Sequence, residues 1–330
     1  MEEFMKILII GGTRFVGRHL VEELIRRGHD LTMLNRGNNN IFPQLQTITG
    51  DRNEQSRIDL AAGQKWDAVI DTCAYFPRQV RMLAGVLRSA AHYVLISSIS
   101  AYQNQEVANL CENDALADIS EDTPEQITET TYGGFKVLCE KAAAELSSAS
   151  LIIRPGLIVG PHDPTDRFTY WPHKILHGER VLVPDCPRAP LQFIDARDLA
   201  VFIADAIEKR CTGAYNLVNA PGEYCFADLL ETCSRVTGSK AEKIPVSEDF
   251  LLKNGVEPWG DLPFWSPGPS GNFMLTSNRK AVADGLKTRS LTGTVRDICS
   301  WLASENKNTL KTGLSAAREA QLLHEWAAVS

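Results

Sequence analysis

Short runs of consecutive apolar residues recur through the first half of the chain, with helical patterns between them. "KILII" is followed by "VGRHLVEELIRRG" and "LTML", then by "DAVIDTC", "VRMLAGVLRSA", "HYVLISS", "KVLCEKAAAEL" and "LIIRPG". A strand that is apolar at every position, rather than at every second one, is covered on both faces, and amphipathic helices between such strands supply the cover. This alternation predicts an α/β fold built on a doubly wound parallel sheet of the Rossmann kind.

From about Pro161 the texture changes. "GPHDPTDRFTYWPHK" and "VEPWGDLPFWSPGPSGN" are rich in proline, tryptophan and glycine, which suits irregular loops lining a pocket better than sheet strands. Between them, "LQFIDARDLAVFIADAIEKR" and "GAYNLVNA" read as a helix and a strand returning to the sheet. We therefore expect a sheet domain from residues 1–160 plus about 191–220. A smaller interleaved C-terminal α/β domain is expected from about 161–190 plus 221–330, with a cleft at the carboxyl ends of the strands.

Composition narrows the partners. A hydrophobic fraction of 44% and a charged fraction of 23% are those of an ordinary globular chain. The net charge of -7 gives no reason to expect a polyanion, so no nucleic-acid partner is expected. No run approaches the roughly 20 apolar residues that span a bilayer, and "MEEFMKILII" leads straight into a strand, so no membrane association and a cytoplasmic location are expected. The eight cysteines are dispersed, without metal-ligand spacing, and read as reduced and mostly buried.

The first strand runs into "GGTRFVG", residues Gly11, Gly12, Thr13, Arg14, Phe15, Val16 and Gly17. A glycine-containing turn between a strand and a helix presents backbone N–H groups and a positive helix end, where a pyrophosphate can sit. Gly11 makes the tight turn and Gly17 allows close packing of helix and strand. At the end of the second strand, where an NAD-preferring chain carries a carboxylate for the ribose hydroxyls, stand Asn35 and Arg36. Two guanidinium groups, Arg14 and Arg36, with no carboxylate between them favour a 2′-phosphate, so NADP(H) is expected over NAD(H), with NAD as the alternative.

"YGGFK" places Tyr132 and Lys136 four residues apart on one helix face. A phenol is a poor base at neutral pH unless a nearby cation stabilises its anion, and Lys136 can supply that charge. "HYVLISSISAY" reads as a buried strand ending in hydroxyls, with Ser98 placed to hydrogen-bond a substrate oxygen.

With these residues in order, the chain resembles the extended short-chain dehydrogenase/reductase superfamily, in its NAD(P)-dependent epimerase/dehydratase branch. The motifs that carry the likeness are "GGTRFVG", Gly50–Asp51, "SSISAY", "YGGFK", "RPGLIVGP" and "FIDARDLA", and the "GGTRF" loop resembles an atypical subgroup. The resemblance implies that Ser98, Tyr132 and Lys136 form a catalytic triad, with Lys136 also holding the nicotinamide ribose. It further implies that Asp51 and Arg52 flank the adenine and that Thr72, Cys73 and Ala74 line the dinucleotide. Homodimerisation is the default by analogy.

Departures from the branch bear on the substrate. Ile99 follows Ser98 where dehydratases place an acid, which disfavours dehydration. Leu191 and Leu157 stand where epimerases carry an arginine and an asparagine, leaving Arg188 as the candidate to grip an anionic substrate. Tyr75, Arg167, Phe168, Tyr170 and Trp171 are candidates for the substrate wall, and Trp259, Phe264 and Trp265 for a lid. His162, Asp163, Asp166 and His173 match no familiar metal spacing, and no metal is expected. The expectation is an oxidoreductase or epimerase transferring a hydride at a hydroxyl or carbonyl carbon of a sugar-like or other small molecule, with Tyr132 as general acid/base. The alternative is a binding protein whose chemistry is sidelined, of the RNA-binding chloroplast type.

Overall fold

The computed structural model describes residues 4–88, 90–268 and 272–329 of the 330-residue chain. Its main sheet has strands β1 (Lys6–Ile10), β2 (Asp30–Asn35), β3 (Gln46–Thr49), β4 (Ala68–Asp71), β5 (Tyr93–Ile96) and β6 (Ser150–Pro155), and a seventh at Gly213–Leu217. From edge to edge the order is Gly213–Leu217, β6, β5, β4, β1, β2, β3, and every pairing is parallel.

Successive strand side chains point to opposite faces, which explains the unbroken apolar runs. Ile7 and Ile9 pack beside Leu20 and Leu24 of helix α1 (Phe15–Arg26) and beside Phe202 and Ile203 of the helix Ala196–Glu208. Leu8 and Ile10 point the other way, into a cluster with Val80, Leu83, Cys139 and Ala142. Each large side chain so buried contributes about 1.5–3 kcal/mol. β3, "QTIT", is polar and half-exposed, an edge strand without the apolar signature that marks the interior ones. The segment "VRMLAGVLRSA" is divided between two short helices, Pro77–Arg81 and Ala84–Leu87, rather than one continuous helix.

A third apolar cluster lies away from the sheet. It gathers Phe168, Tyr170, Trp171, Phe226, Trp265, Val295 and Ile298, with Val159, Leu191 and Phe193 joining from segments near the sheet's carboxyl edge. A two-stranded parallel ribbon, Arg180–Pro184 with Glu242–Val246, covers part of it. Of the eight cysteines, Cys139 and Cys233 are buried, the other six are half-buried, and all are free thiols. Among the described residues no helix is long and apolar enough to cross a membrane.

One carboxylate joins the sheet side to the C-terminal segment. Asp195 caps the helix Ala196–Glu208, its Oδ1 accepting the backbone N–H of Arg197 at 3.0 Å. The Arg197 side chain meets both carboxylate oxygens, at 2.9 and 2.7 Å, and the Thr294 hydroxyl donates to Oδ2 at 2.9 Å. Burial alone would raise the Asp195 carboxyl, but the Arg197 hydrogen bonds, together with the charges of Arg197 and Arg289, outweigh it and hold the group below the usual aspartate range. A depressed carboxyl contributes stability that is present above its unfolded value and is lost as pH falls through the folded one. Asp195→Asn is expected to cost on the order of 3 kcal/mol at neutral pH, because it leaves a cation without its buried partner. In thermal melts, the gap between wild type and variant should close as pH drops below about 4.

Candidate active site

The strand order turns back between β1 and β4, the position at which an open α/β sheet leaves a crevice beyond its carboxyl ends. A cavity of about 640 Å³ lies there. Its floor is made where the strands leave the sheet: Phe15 and Val16 after β1, Thr72 and Cys73 after β4, Ser98 after β5 and Gly156 after β6.

The loop after β1 has glycine where the backbone requires it. Gly11 has φ +101°, and a Cβ there would stand 2.3 Å from the Thr72 hydroxyl oxygen. A Cβ on Gly17 would lie 2.8 Å from the Gly12 backbone. Arg14 needs no such freedom: its φ of -131° and ψ of 144° are extended, open to any residue, and its side chain is exposed. The arginine in place of a glycine therefore leaves the turn intact and projects a charge beside it. The Thr13 carbonyl accepts from Asn39 Nδ2 at 3.2 Å.

At the end of β2, Asn35 Oδ1 accepts the Gly37 N–H at 2.8 Å and Arg36 is exposed. Among the described residues the guanidinium groups of Arg14 and Arg36 enter no ion pair. Asp51 accepts from the backbone and side chain of Asn53. Chiefly through that backbone N–H, with help from the Arg36 and Arg52 charges, its carboxyl is lowered.

Arg52 departs from the role expected beside the adenine. Its guanidinium turns inward onto Asp71, at 2.5 and 2.8 Å, and onto the Gln79 carbonyl at 3.0 Å. Asp71 is fully buried, and an unpaired charge there would carry a large desolvation penalty, so Arg52 braces the strand ends. Thr72 donates its hydroxyl to Ile10 O at 2.9 Å. Cys73 lines the cavity, and burial raises its thiol.

The helix Tyr132–Leu146 brings Tyr132 and Lys136 to the same cavity. Lys136 is buried, and its Nζ donates to Ala74 O at 2.8 Å and Ile96 O at 2.6 Å. Desolvation lowers its ammonium. Burial raises the Tyr132 phenol, while a hydrogen-bonding contact with Ser98 and the charge of Arg167 pull it down.

Two supporting features escaped the sequence reading. A Cβ on Gly133 would stand 2.0 Å from Ser100 O, so the first helical turn presses directly against the turn Ile99–Ala101 and sets Tyr132 beside Ser98. Glu140, one turn beyond Lys136, accepts from the Ser97 hydroxyl at 2.5 Å and from Arg154 at 3.0 and 2.6 Å. The i, i+4, i+8 spacing of Tyr132, Lys136 and Glu140 was the available signal.

Of the residues expected on the substrate wall, Tyr75 and Arg167 line the cavity. The Tyr75 and Tyr132 rings are 6.4 Å apart. Phe168, Tyr170 and Trp171 do not line it: they are buried in the third cluster, with Trp171 Nε1 donating to Pro263 O at 2.9 Å. Arg188 is exposed on a turn and lies outside the cavity. Phe264 and Trp265 are also core, leaving Trp259 on the lining. Among the described residues no three potential metal ligands gather; Asp166 is instead ion-paired with Lys307.

Residues 7–218 match the NAD dependent epimerase/dehydratase family. The chain belongs to this family. The glycine loop, Ser98, Tyr132, Lys136 and Arg167 all fall within the matched span of the epimerase/dehydratase chain. The chain is 25% identical over 294 residues to the chloroplast stem-loop binding protein of 41 kDa b of Arabidopsis thaliana, across 82% of this chain and 74% of that one. It is 27% identical over 191 residues to a UDP-glucose 4-epimerase of Neisseria meningitidis, covering 48% of this chain and 54% of the epimerase. The fold is that of UDP-glucuronic acid 4-epimerase from Bacillus cereus in complex with NAD, with a TM-score of 0.65, 14% identity, and coverage of 92% of this chain and 100% of that one. The chain is thus an epimerase/dehydratase-type oxidoreductase fold of an NAD-dependent family.

Gly133→Ala is expected to lose about 1–3 kcal/mol in denaturant unfolding, because the added methyl meets backbone. Gly85→Ala, where the nearest atom is 3.7 Å away, should be neutral or gain up to about 1 kcal/mol.

Proposed function

We propose that the protein is an NADP(H)-dependent oxidoreductase or epimerase that acts on a hydroxyl or carbonyl carbon of a sugar-like or other small substrate, with Tyr132 as general acid/base. The observation that carries this reading is the convergence of Tyr132, Ser98 and Lys136 on one cavity that Phe15 and Val16 of the glycine loop also line. The loop fits a dinucleotide: Gly11, Gly12 and Gly17 allow the tight strand-to-helix turn to pack against Thr72, Met33 and its own backbone, and the helix that follows opens with N–H groups unpaired within the helix. Gly11, Gly12 and Val16 would hold the pyrophosphate, Thr72 and Cys73 the path beyond it, and Lys136 the nicotinamide ribose. The chemistry supplied there by nicotinamide is hydride exchange with the substrate carbon.

The residues of the chain handle the proton and the orientation. Tyr132 gives its phenolic proton to a carbonyl oxygen or takes one from a carbinol, with Ser98 hydrogen-bonding the same oxygen. The charge of Arg167 offsets part of what burial adds to the phenol's pKa. Lys136, fixed by two carbonyls, holds the helix that carries Tyr132. Ile99, not an acid, follows Ser98 on the lining, and Asp163 on the same lining is held by Thr165, so oxidation or reduction is favoured over dehydration.

The preference for a 2′-phosphate rests on Arg14 and Arg36, both exposed, and on Asn35 in place of a carboxylate. In fluorescence titrations NADPH should bind about tenfold or more tightly than NADH, and an Arg14→Ala/Arg36→Ala variant should lose that margin. Equal affinities in the wild type would overturn the preference. For the chemistry, NADPH absorbance is followed with a panel of aldoses and ketoses. Tyr132→Phe should lower turnover about 10²- to 10⁴-fold while keeping cofactor affinity, and turnover at the wild-type rate would reject Tyr132 as acid/base.

A second reading, a binding protein with sidelined chemistry, is favoured by the long match to the stem-loop binding relative. A salt-sensitive mobility shift with stem-loop RNA would support it.

A further inference from the structure

The cavity contains one guanidinium with nothing to bind. Arg167 is half-buried on the lining, and its Nε makes a single 3.3 Å bond to the Thr165 hydroxyl. Its terminal nitrogens have no hydrogen-bond or ion-pair partner among the described residues. The neighbouring carboxylate, Asp163, is already occupied: it accepts the Thr165 N–H at 2.8 Å and the Thr165 hydroxyl at 2.8 and 3.0 Å. The third charged group on the wall, Lys136, gives two of its three N–H donors to backbone carbonyls, and the third is the one assigned to the nicotinamide ribose. A guanidinium has five N–H donors, and their partial desolvation is unfavourable unless a ligand replaces the lost water.

The position is also built rather than incidental. Asp166, just before the arginine, adopts φ +60°, which is costly for a residue with a side chain. That strain is held by an ion pair to Lys307, by the Lys311 N–H on Asp166 Oδ2 at 3.1 Å and by Thr312 Oγ1 on Thr165 O at 2.7 Å. The loop is thereby fixed from the C-terminal segment, and the free guanidinium faces the space beside Tyr132. The charge of Arg167 and the phenol act on one another.

We propose that the substrate carries a carboxylate close to its reacting carbinol or carbonyl carbon, and that Arg167 holds it. This rests on the redox reading of the same cavity. A monoanion is favoured over a phosphate dianion because a single uncommitted cation faces the space and Asp163 adds a negative charge to the same wall. A planar carboxylate also matches the fork of a guanidinium.

The test measures binding of acid and amide pairs of nearly equal shape to the intact protein, with and without saturating NADP⁺, by calorimetry and saturation-transfer NMR. The probes are glucuronate against glucuronamide, glycerate against glyceramide, and glycerol 3-phosphate. At least one acid should bind about tenfold or more tightly than its amide, the scale of a charge-assisted bond. Arg167→Met should erase the difference and Arg167→Lys should keep part of it, with melting temperature and NADP⁺ affinity unchanged in both. Acids and amides binding alike, no acid binding, or the phosphate binding most tightly would each overturn the proposal. Acid discrimination without any dinucleotide binding would keep the carboxylate site and reject the redox reading; dinucleotide binding without discrimination would do the reverse.

Discussion

The Nζ atom of Lys136 donates to the carbonyls of Ala74 and Ile96, where the chain leaves β4 and β5, and this buried junction decides where the helix Tyr132–Leu146 can stand. Neither carbonyl can be satisfied by the helix in another register, and a buried ammonium without acceptors would be strongly unfavourable. Glu140 supplies a second fastening one turn along, through Ser97 and Arg154. With two polar contacts fixing one rigid helix to the sheet, the Tyr132 hydroxyl is placed without depending on loop order. This is the arrangement that general acid/base chemistry requires, since proton transfer fails when the donor wanders by an ångström.

The cations at the site divide their work. Lys136 acts structurally on strand exits, Arg52 neutralises Asp71 beneath the floor, and Arg167 faces the cavity. A phenol buried without a nearby cation would be a worse base than one in water, because desolvation disfavours the anion. Ser98 and Arg167 both lower the Tyr132 phenol although they lie far apart in the chain.

How much of this could be read from the sequence depends on whether a residue's role is fixed locally. β1, β2, β4, β5 and β6 could be read because burial on both faces leaves an unbroken apolar run, whereas the polar edge strand β3 carries no such mark. The Tyr132 and Lys136 pairing is a property of one helix, so four-residue spacing was sufficient. Arg52 could not be placed, since its partner Asp71 lies nineteen residues away and nothing near "GDR" announces it. In "RFTYW", composition alone does not separate wall from core. Phe168, Tyr170 and Trp171 went inward because the small unit needs aromatic volume for its own core, and Arg167 alone of the four faces the cavity. Arg188 carries no signal beyond a charge within a turn, and exposure there is the ordinary fate of a charged turn residue.

The anchoring of residues 163–167 by Lys307, Lys311 and Thr312 has an evolutionary consequence. The shape of the pocket's rim is written partly in a segment some 140 residues downstream that does not line the cavity. Drift in that remote stretch would retune what is admitted while every lining residue stayed the same. Descendants of one ancestor with identical catalytic residues would then diverge in diet, and a comparison confined to pocket positions would overlook the cause.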